Sequence, residues 1–396
     1  MTFTFRHTKY ASYLGLFTQA IVNNLAPLLF VTFQRQFEIS LDRISLLIVM
    51  NFGVQILTDF LSAKYVDKIG YRTAMMIANI CCFIGLMGLG IFPMVFPDPW
   101  LGLATSVVIN AVGGGIIEVV VSPVVEALPG DEKESAMSML HSFYCWGQVS
   151  VVLLSTLYFN TIGINHWKYI AMIWSLIPLA NAFLFMKVPL RPLVEEHERV
   201  PLRKLFTVKV FWLLFILMIC SGASELAMSQ WASLFAEEGL RVSKTFGDLL
   251  GPCFFAVLMG IARTIYGFYG SKMDLKKTIA GSSILCMICY LVAVFSPSPV
   301  LSLLGCAVCG FSVGIMWPGV FSLSSKTYPQ GGTAMFAILA LGGDAGCTIG
   351  PGIVGLVANI TNNLHYGLLT ATIFPTLLVI CMLRFLIRSR SHNSSV

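Results

Sequence analysis

The sequence predicts an all-α membrane protein of twelve transmembrane helices arranged as two parallel six-helix repeats. Three observations lead there. Of 396 residues only 11% are charged and 57% are hydrophobic, with a mean hydropathy of +0.82. A soluble domain carries about 25% charged residues, so this chain lacks the polar surface to face water. Next, twelve apolar stretches each approach the roughly 20 residues needed to cross a bilayer. Finally, short motifs recur in the same order in both halves.

The spans fall near 10–33, 44–63, 73–93, 100–126, 137–160, 167–187, 209–235, 246–271, 278–296, 299–325, 333–358 and 365–387. The first follows Arg6 and Lys9 as a signal peptide would. It is too long for one and lacks a small-residue cleavage site, so it is expected to remain as a spanning helix. RQFEISLDR separates the first span from the second, and KYVDKIGYR the second from the third. PGDEKES precedes the fifth, and RPLVEEHERVPLRK lies between the sixth and seventh. No connector is long enough for a soluble domain. The longest divides the chain into an N-terminal six-helix bundle (1–187), a cytoplasmic linker (188–208) and a C-terminal six-helix bundle (209–396).

Orientation follows from Lys and Arg placement. With the amino terminus inside, 19 basic residues face the cytoplasm and 5 (Arg35, Arg43, Lys168, Arg241, Lys244) face out, while Arg263 lies within a span. Both termini are thus expected in the cytoplasm, with the chain in the plasma (inner) membrane. The net charge of +6 is modest and does not point to nucleic acid. Eleven cysteines fall almost wholly inside the spans. The pairs Cys286/Cys289 and Cys306/Cys309 match zinc-ribbon spacing but have no charged or His neighbours, so they read as small buried hydrophobes. No metal or cofactor is expected. No nucleotide loop and no Ser/His/Asp arrangement rises above background, so the chain is not read as an enzyme.

The internal repeat is read from paired motifs. Asp59-Phe-Leu-Ser-Ala63 sets against Arg263-Thr-Ile-Tyr-Gly267, with Arg72 and Lys276 following at equal distance. Ser122-Pro123 matches Trp317-Pro318. Ser135-Ala136-Met137 and Thr333-Ala334-Met335 each open the next helix. Six spans per half make the repeats parallel, a known organisation of secondary transporters.

These features resemble the major facilitator superfamily. KYVDKIGYR is similar to its loop signature through Asp67, Lys68, Gly70 and Arg72, with Ala63 where the leading glycine usually stands. Within the superfamily the chain looks most like the fucose:proton symporter group. The matching segments are VNNL in the first helix, GGGIIEVVVSP in the fourth, SFYCWG in the fifth, Gly260-x-x-Arg263 in the eighth, and MWPGVFSL with GGDAG in the tenth and eleventh. The resemblance implies a central cavity lined by the first, fourth, seventh and tenth helices. It also implies a functional glutamate at Glu118 and a cytoplasmic latch around Asp67. Proton-coupled sugar members carry an aspartate after Asn-Asn-Leu-x in the first helix. Here that residue is Pro27.

Ionisable residues inside a membrane are functional candidates by default. Glu118 lies about 18 residues into the fourth helix, roughly 27 Å along it, and suits proton uptake and release. Glu225 is the second proton-coupling candidate. Asp59, Asp67, Arg72, Arg263 and Asp344 read as structural or gating charges, with an Arg263 to Asp344 ion pair expected. Gln19, Asn23, Asn24, Asn110, Tyr144, Trp146, Gln148, Gln230, Trp231 and Trp317 are the substrate-binding candidates. Amides donate and accept hydrogen bonds and an indole adds a flat apolar face. The set therefore suits a neutral polyhydroxylated ligand, although singly each residue also serves as interhelical glue. Gly342, Gly346 and Gly350, spaced by four, give one helix face that admits close backbone approach.

The reading is a monomeric secondary active transporter moving a small neutral solute, a sugar or polyol, by alternating access with proton symport. The alternatives are a proton-coupled exporter of amphipathic compounds and a non-transporting membrane sensor with the same fold.

Overall fold

The computed structural model describes residues 3–194, 202–236, 241 and 253–393, and these are helical almost throughout. The first six helices are α1 (Phe5–Phe37), α2 (Leu41–Ile69), α3 (Tyr71–Val95), α4 (Pro99–Glu126), α5 (Lys133–Ile162) and α6 (Trp167–Lys187). After them come α7 (Lys209–Leu234), α8 (Phe254–Tyr269), α9 (Leu275–Phe295), α10 (Pro299–Val313), α11 (Met316–Thr327), α12 (Gly332–Thr361), α13 (Leu364–Ala371) and α14 (Ile373–Asn393). Eleven helical stretches among the described residues are long and apolar enough to cross a membrane. The expected eighth span is described from residue 253 onward. Its start at 246–252, Lys244, Arg199 and residues 195–201 of the expected linker lie outside the described residues. Large apolar side chains such as Val49, Leu57, Leu153 and Leu157 are exposed on the helix surfaces. That is the pattern of a chain solvated by lipid, where an exposed apolar patch is the favourable arrangement.

Helix ends carry ordinary capping chemistry. Asp98 accepts from the Trp100 backbone N–H at 2.9 Å with Pro99 next to it, and Asn363 caps α13 the same way. A single residue, Gly70 at φ +81°, turns the chain from α2 into α3. That left-handed value explains the glycine of KYVDKIGYR. Two residues on, the Arg72 guanidinium donates to the carbonyls of Phe185 and Met186 (both 2.6 Å) and Val188 (2.9 Å). It thereby satisfies the last acceptors of α6, where a cation also complements the helix dipole.

The described helices form two compact units. The first comprises Met1–Gly130, Phe143–Arg199 and Gly332–Ala337; the second comprises Asp131–Ser142, Val200–Gly331 and Ile338–Val396. Both use one packing scheme. In the first, α4 lies against α1, α2 and α3; in the second, α10 lies against α7, α8 and α9. Glycines make this possible. A Cβ at Gly113 would stand 2.5 Å from Cys82 Sγ and 2.6 Å from the Ala78 carbonyl of α3, and one at Gly115 would stand 3.2 Å from the Gln55 carbonyl of α2. In the register that sets Pro123 against Pro318, Gly115 corresponds to Gly310, which meets the Phe255 carbonyl of α8. The repeat read from sequence is therefore repeated in backbone packing.

The expected glycine face on α12 is also present. Gly342 lies on the Phe215 ring, Gly346 on the Ile219 carbonyl and Gly350 on the Ala223 carbonyl, 2.6 Å from where a Cβ would be. Four-residue spacing on α12 meets four-residue spacing on α7, so backbone rests on backbone. The recurring Ser135 and Thr333 triplets fall in the two short segments that each unit takes from the far part of the chain. In the second unit, Glu134 pairs with Lys326 and the Ser271 backbone N–H donates to Ser135 Oγ at 2.9 Å. In the first, Thr333 Oγ1 is 2.5 Å from the Tyr71 hydroxyl.

Candidate functional site

The first unit holds a polar cluster built from α1, α2, α4 and α5. Its placement starts with the GGG run. Gly113 and Gly115 press α4 onto its neighbours, while Gly114 faces α1, with Val22 and Gln19 at 3.7 and 3.9 Å from its would-be Cβ. Glu118, one turn on, shares the Gly114 face. There Gln19 Nε2 donates to Glu118 Oε2. Gln19 is 3% exposed and Glu118 is half-buried. One turn further along α1, Asn23 Oδ1 accepts from Gln55 (2.9 Å) and Asn51 (3.3 Å) of α2, and Asn23 Nδ2 donates to the Tyr144 hydroxyl of α5 at 3.4 Å. Asn24 turns back to the Ala20 carbonyl at 2.9 Å. The arrangement is one carboxylate beside a chain of neutral amides and a phenol, all able both to give and to take hydrogen bonds.

The second unit holds a different cluster. Arg263 of α8 is 4% exposed, and its Nη2 lies 3.2 Å from Glu225 Oε2 of α7. Its Nε donates to the Gly314 carbonyl at 3.0 Å and Nη1 to the His141 carbonyl at 3.4 Å, while Ser138 Oγ donates to the Arg263 carbonyl at 2.8 Å. The Gly314 contact has a local cause. Pro318, four residues on, has no N–H, so the helical partner of the Gly314 carbonyl is missing. The chain breaks there between α10 and α11, and Arg263 supplies the donor. Arg263 thus holds Glu225, which joins a proton-coupling candidate to a residue read as structural. Asp344 is half-buried on α12.

The remaining candidates are distributed as follows. Asn110 is buried and faces Gly85 of α3 rather than the amide cluster. Trp146 and Gln148 are half-buried on α5, and Gln230 is exposed on α7. The Trp231 Nε1–H donates to the Pro351 carbonyl at 3.1 Å with its ring on Gly355. Trp317 is buried with its ring on Gly343, edge-on to Phe321. Asp59 is buried on α2, and Asp67 is half-buried two turns on. Pro27 is an exposed position on α1, which continues through it. Asn51 and Gln55 join the polar cluster, and the sequence reading missed them. Their signal was present, as two amides one helical turn apart in an apolar span.

Residues 12–351 and 253–396 match the family model described as Major Facilitator Superfamily. A curated relative, "Membrane protein MosC" of Rhizobium meliloti, is 24% identical over 258 residues, 64% of this chain and 61% of MosC, so the chain spans less than two thirds of that relative. Among solved structures, FucP in the outward conformation superposes with a TM-score of 0.81 at 17% identity, covering 95% of this chain and 98% of FucP. A bacterial homologue of the iron transporter ferroportin, in its outward-facing state, gives 0.77 at 15% identity, with 95% and 98% coverage. At such identity these likenesses concern the fold.

Proposed function

The chain belongs to the major facilitator superfamily, and from that premise we propose that it carries a small neutral polyhydroxylated solute together with a proton. It is a multi-span integral membrane carrier and not an enzyme. The observation that carries the proposal is the first-unit cluster, in which Gln19 donates to Glu118 and Asn23 joins Gln55, Asn51 and Tyr144. Amides paired to one another recognise hydroxyl groups without demanding charge. A carboxylate within the membrane is a group that can take up and release a proton during a transport cycle. We assign the proton to Glu118 and the hydroxyls to Asn23, Gln55 and Tyr144. The excess of basic residues on one side supports cytoplasmic termini and two six-helix halves joined by residues 188–208.

The experiment is reconstitution into proteoliposomes after a thermal-shift screen of sugars, polyols, nucleosides and organic acids. With one proton per solute, each pH unit of gradient drives about tenfold accumulation, since one unit is 1.36 kcal/mol. Glu118→Gln removes accumulation and retains counterflow exchange. Equal uptake with and without the gradient, or unchanged accumulation in the variant, ends the symport reading. Stabilisation by hydrophobic cations but by no polyol moves the reading to an exporter.

A further inference from the structure

One face of α9 carries an open cleft of about 430 Å³, lined from Asp274 and Lys277 at the helix start through Thr278, Gly281 and Ser282 to Leu285. Those positions recur every three to four residues, so the cleft follows a single helix face. Its depth comes from Gly281. A Cβ there would meet nothing within 4 Å, so no protein group requires the glycine, although glycine is the poorest helix former after proline. The hydroxyls of Thr278 and Ser283 bond back to carbonyls of their own turn at 2.9 and 2.8 Å. Half-buried Ser282 makes no such bond among the described residues.

The mouth of the cleft is basic. Lys277 lies at it, and Lys272 and Lys276 are close in sequence. The Lys276 ammonium lies 5.8 Å from the Phe385 ring centroid, which brings Arg384 of α14 to the same end. Among the described lining residues the one acid is Asp274, which is engaged by the Lys277 backbone N–H at 3.1 Å and the Lys277 ammonium at 3.5 Å. Charge at the mouth and apolar wall below match the order of groups in a phospholipid at the bilayer interface.

We propose that this cleft seats an anionic phospholipid. Its phosphate lies at Lys277 with Lys276 alongside, an ester oxygen accepts from Ser282, and an acyl chain passes over Gly281 to Leu285. A second copy of the chain is the poorer occupant, because it would bring the same lysines against these.

Native mass spectrometry of the full-length protein in a delipidating detergent tests this with dioleoyl phosphatidylglycerol and dioleoyl phosphatidylcholine as probes. The wild type retains phosphatidylglycerol in preference. Lys277→Gln lowers its occupancy about fivefold, the factor that one interfacial lysine contributes. Gly281→Leu, which fills the cleft and leaves every charge in place, lowers it at least as far. Neither variant unfolds below the wild type in lipid-free detergent, since Lys277 is exposed and Gly281 faces open space, where leucine also favours the helix. Lys168→Gln, elsewhere on the surface, changes nothing. Equal retention of the two lipids overturns the proposal, as does wild-type retention in either variant. A dimer that Gly281→Leu abolishes also overturns it, in favour of a second copy. Should Gly281→Leu not fold, Lys277→Gln decides alone.

Discussion

Arg263→Met removes the guanidinium while keeping an unbranched side chain of similar length, and its cost can be worked from three contacts. Glu225 is left without its cation at 3.2 Å, and among the described residues no other ion pair holds it. Breaking a buried pair from one side costs about 3–5 kcal/mol. The Gly314 carbonyl loses its donor at 3.0 Å and Pro318 has no N–H to offer in its place, which adds about 1–3 kcal/mol for a stranded acceptor. The His141 contact at 3.4 Å is long and adds little. Glu225→Gln alone leaves Arg263 its carbonyl acceptors and costs about 1 kcal/mol. The double variant no longer strands a charge, so it is more stable than Arg263→Met by about 2 kcal/mol; with about 1 kcal/mol expected to be lost in Glu225→Gln, the coupling is about 3 kcal/mol, the upper end for contacting residues. Adding Pro318→Ala to Arg263→Met restores a backbone donor for Gly314 and recovers about 1 kcal/mol more. The assay is the ranking of apparent melting temperatures in detergent, where unfolding is irreversible and order is more informative than absolute free energy. If the two single effects simply add in the double variant, the ion pair does not hold this cluster and the reasoning fails.

Two further predictions concern helix contacts and caps. Gly113→Ala forces a Cβ into Cys82 and the Ala78 carbonyl and costs about 1–3 kcal/mol by overpacking. The adjacent Gly114→Ala meets only ordinary contacts at 3.7 Å or more and gains up to about 1 kcal/mol in helix propensity. Equal melting temperatures for the pair would contradict the assigned faces of α4. Asp274→Ala loosens the first turn of α9 by about 1 kcal/mol, seen as faster amide exchange at Lys277 and Thr278. The Lys277 backbone N–H, more than the nearby ammonium, holds the Asp274 carboxyl below its ordinary value. Its contribution is therefore full at neutral pH and is lost as the pH falls below the usual aspartate range, where wild type and variant should converge.

Much of the fold was legible in the sequence because lipid imposes one rule on every span. Apolar length alone marked α1 to α6, with ends that differ by six residues at most, and the paired motifs exposed the repeat. The glycine face on α12 was legible because a four-residue spacing fixes one side of a helix whatever lies opposite. What the spacing could not show was the partner. Arg263 could be placed at membrane depth, yet its choice of Glu225 depends on the rotation of α7 against α8, which adjacent sequence does not encode. Asn51 and Gln55 were not legible as members of the cluster, because two amides a turn apart in an apolar span read equally as interhelical glue. The break before Met316 was only half visible. Pro318 announced a missing donor, but not that an arginine from another helix would replace it.

The contact of α7 with α12 has a use beyond stability. Where carbonyls rest on glycines at Ile219/Gly346 and Ala223/Gly350, no side chain lies between the helices to change rotamer and let them slide. The two helices are thus held backbone to backbone there, and the distance between them is predicted to stay constant. Probes on the lipid-facing Ile216 and Ile349, 41% and 43% exposed, would make that length an internal yardstick. Any other spacing measured during a transport cycle can be referred to it, separating true movement from the wandering of the labels themselves.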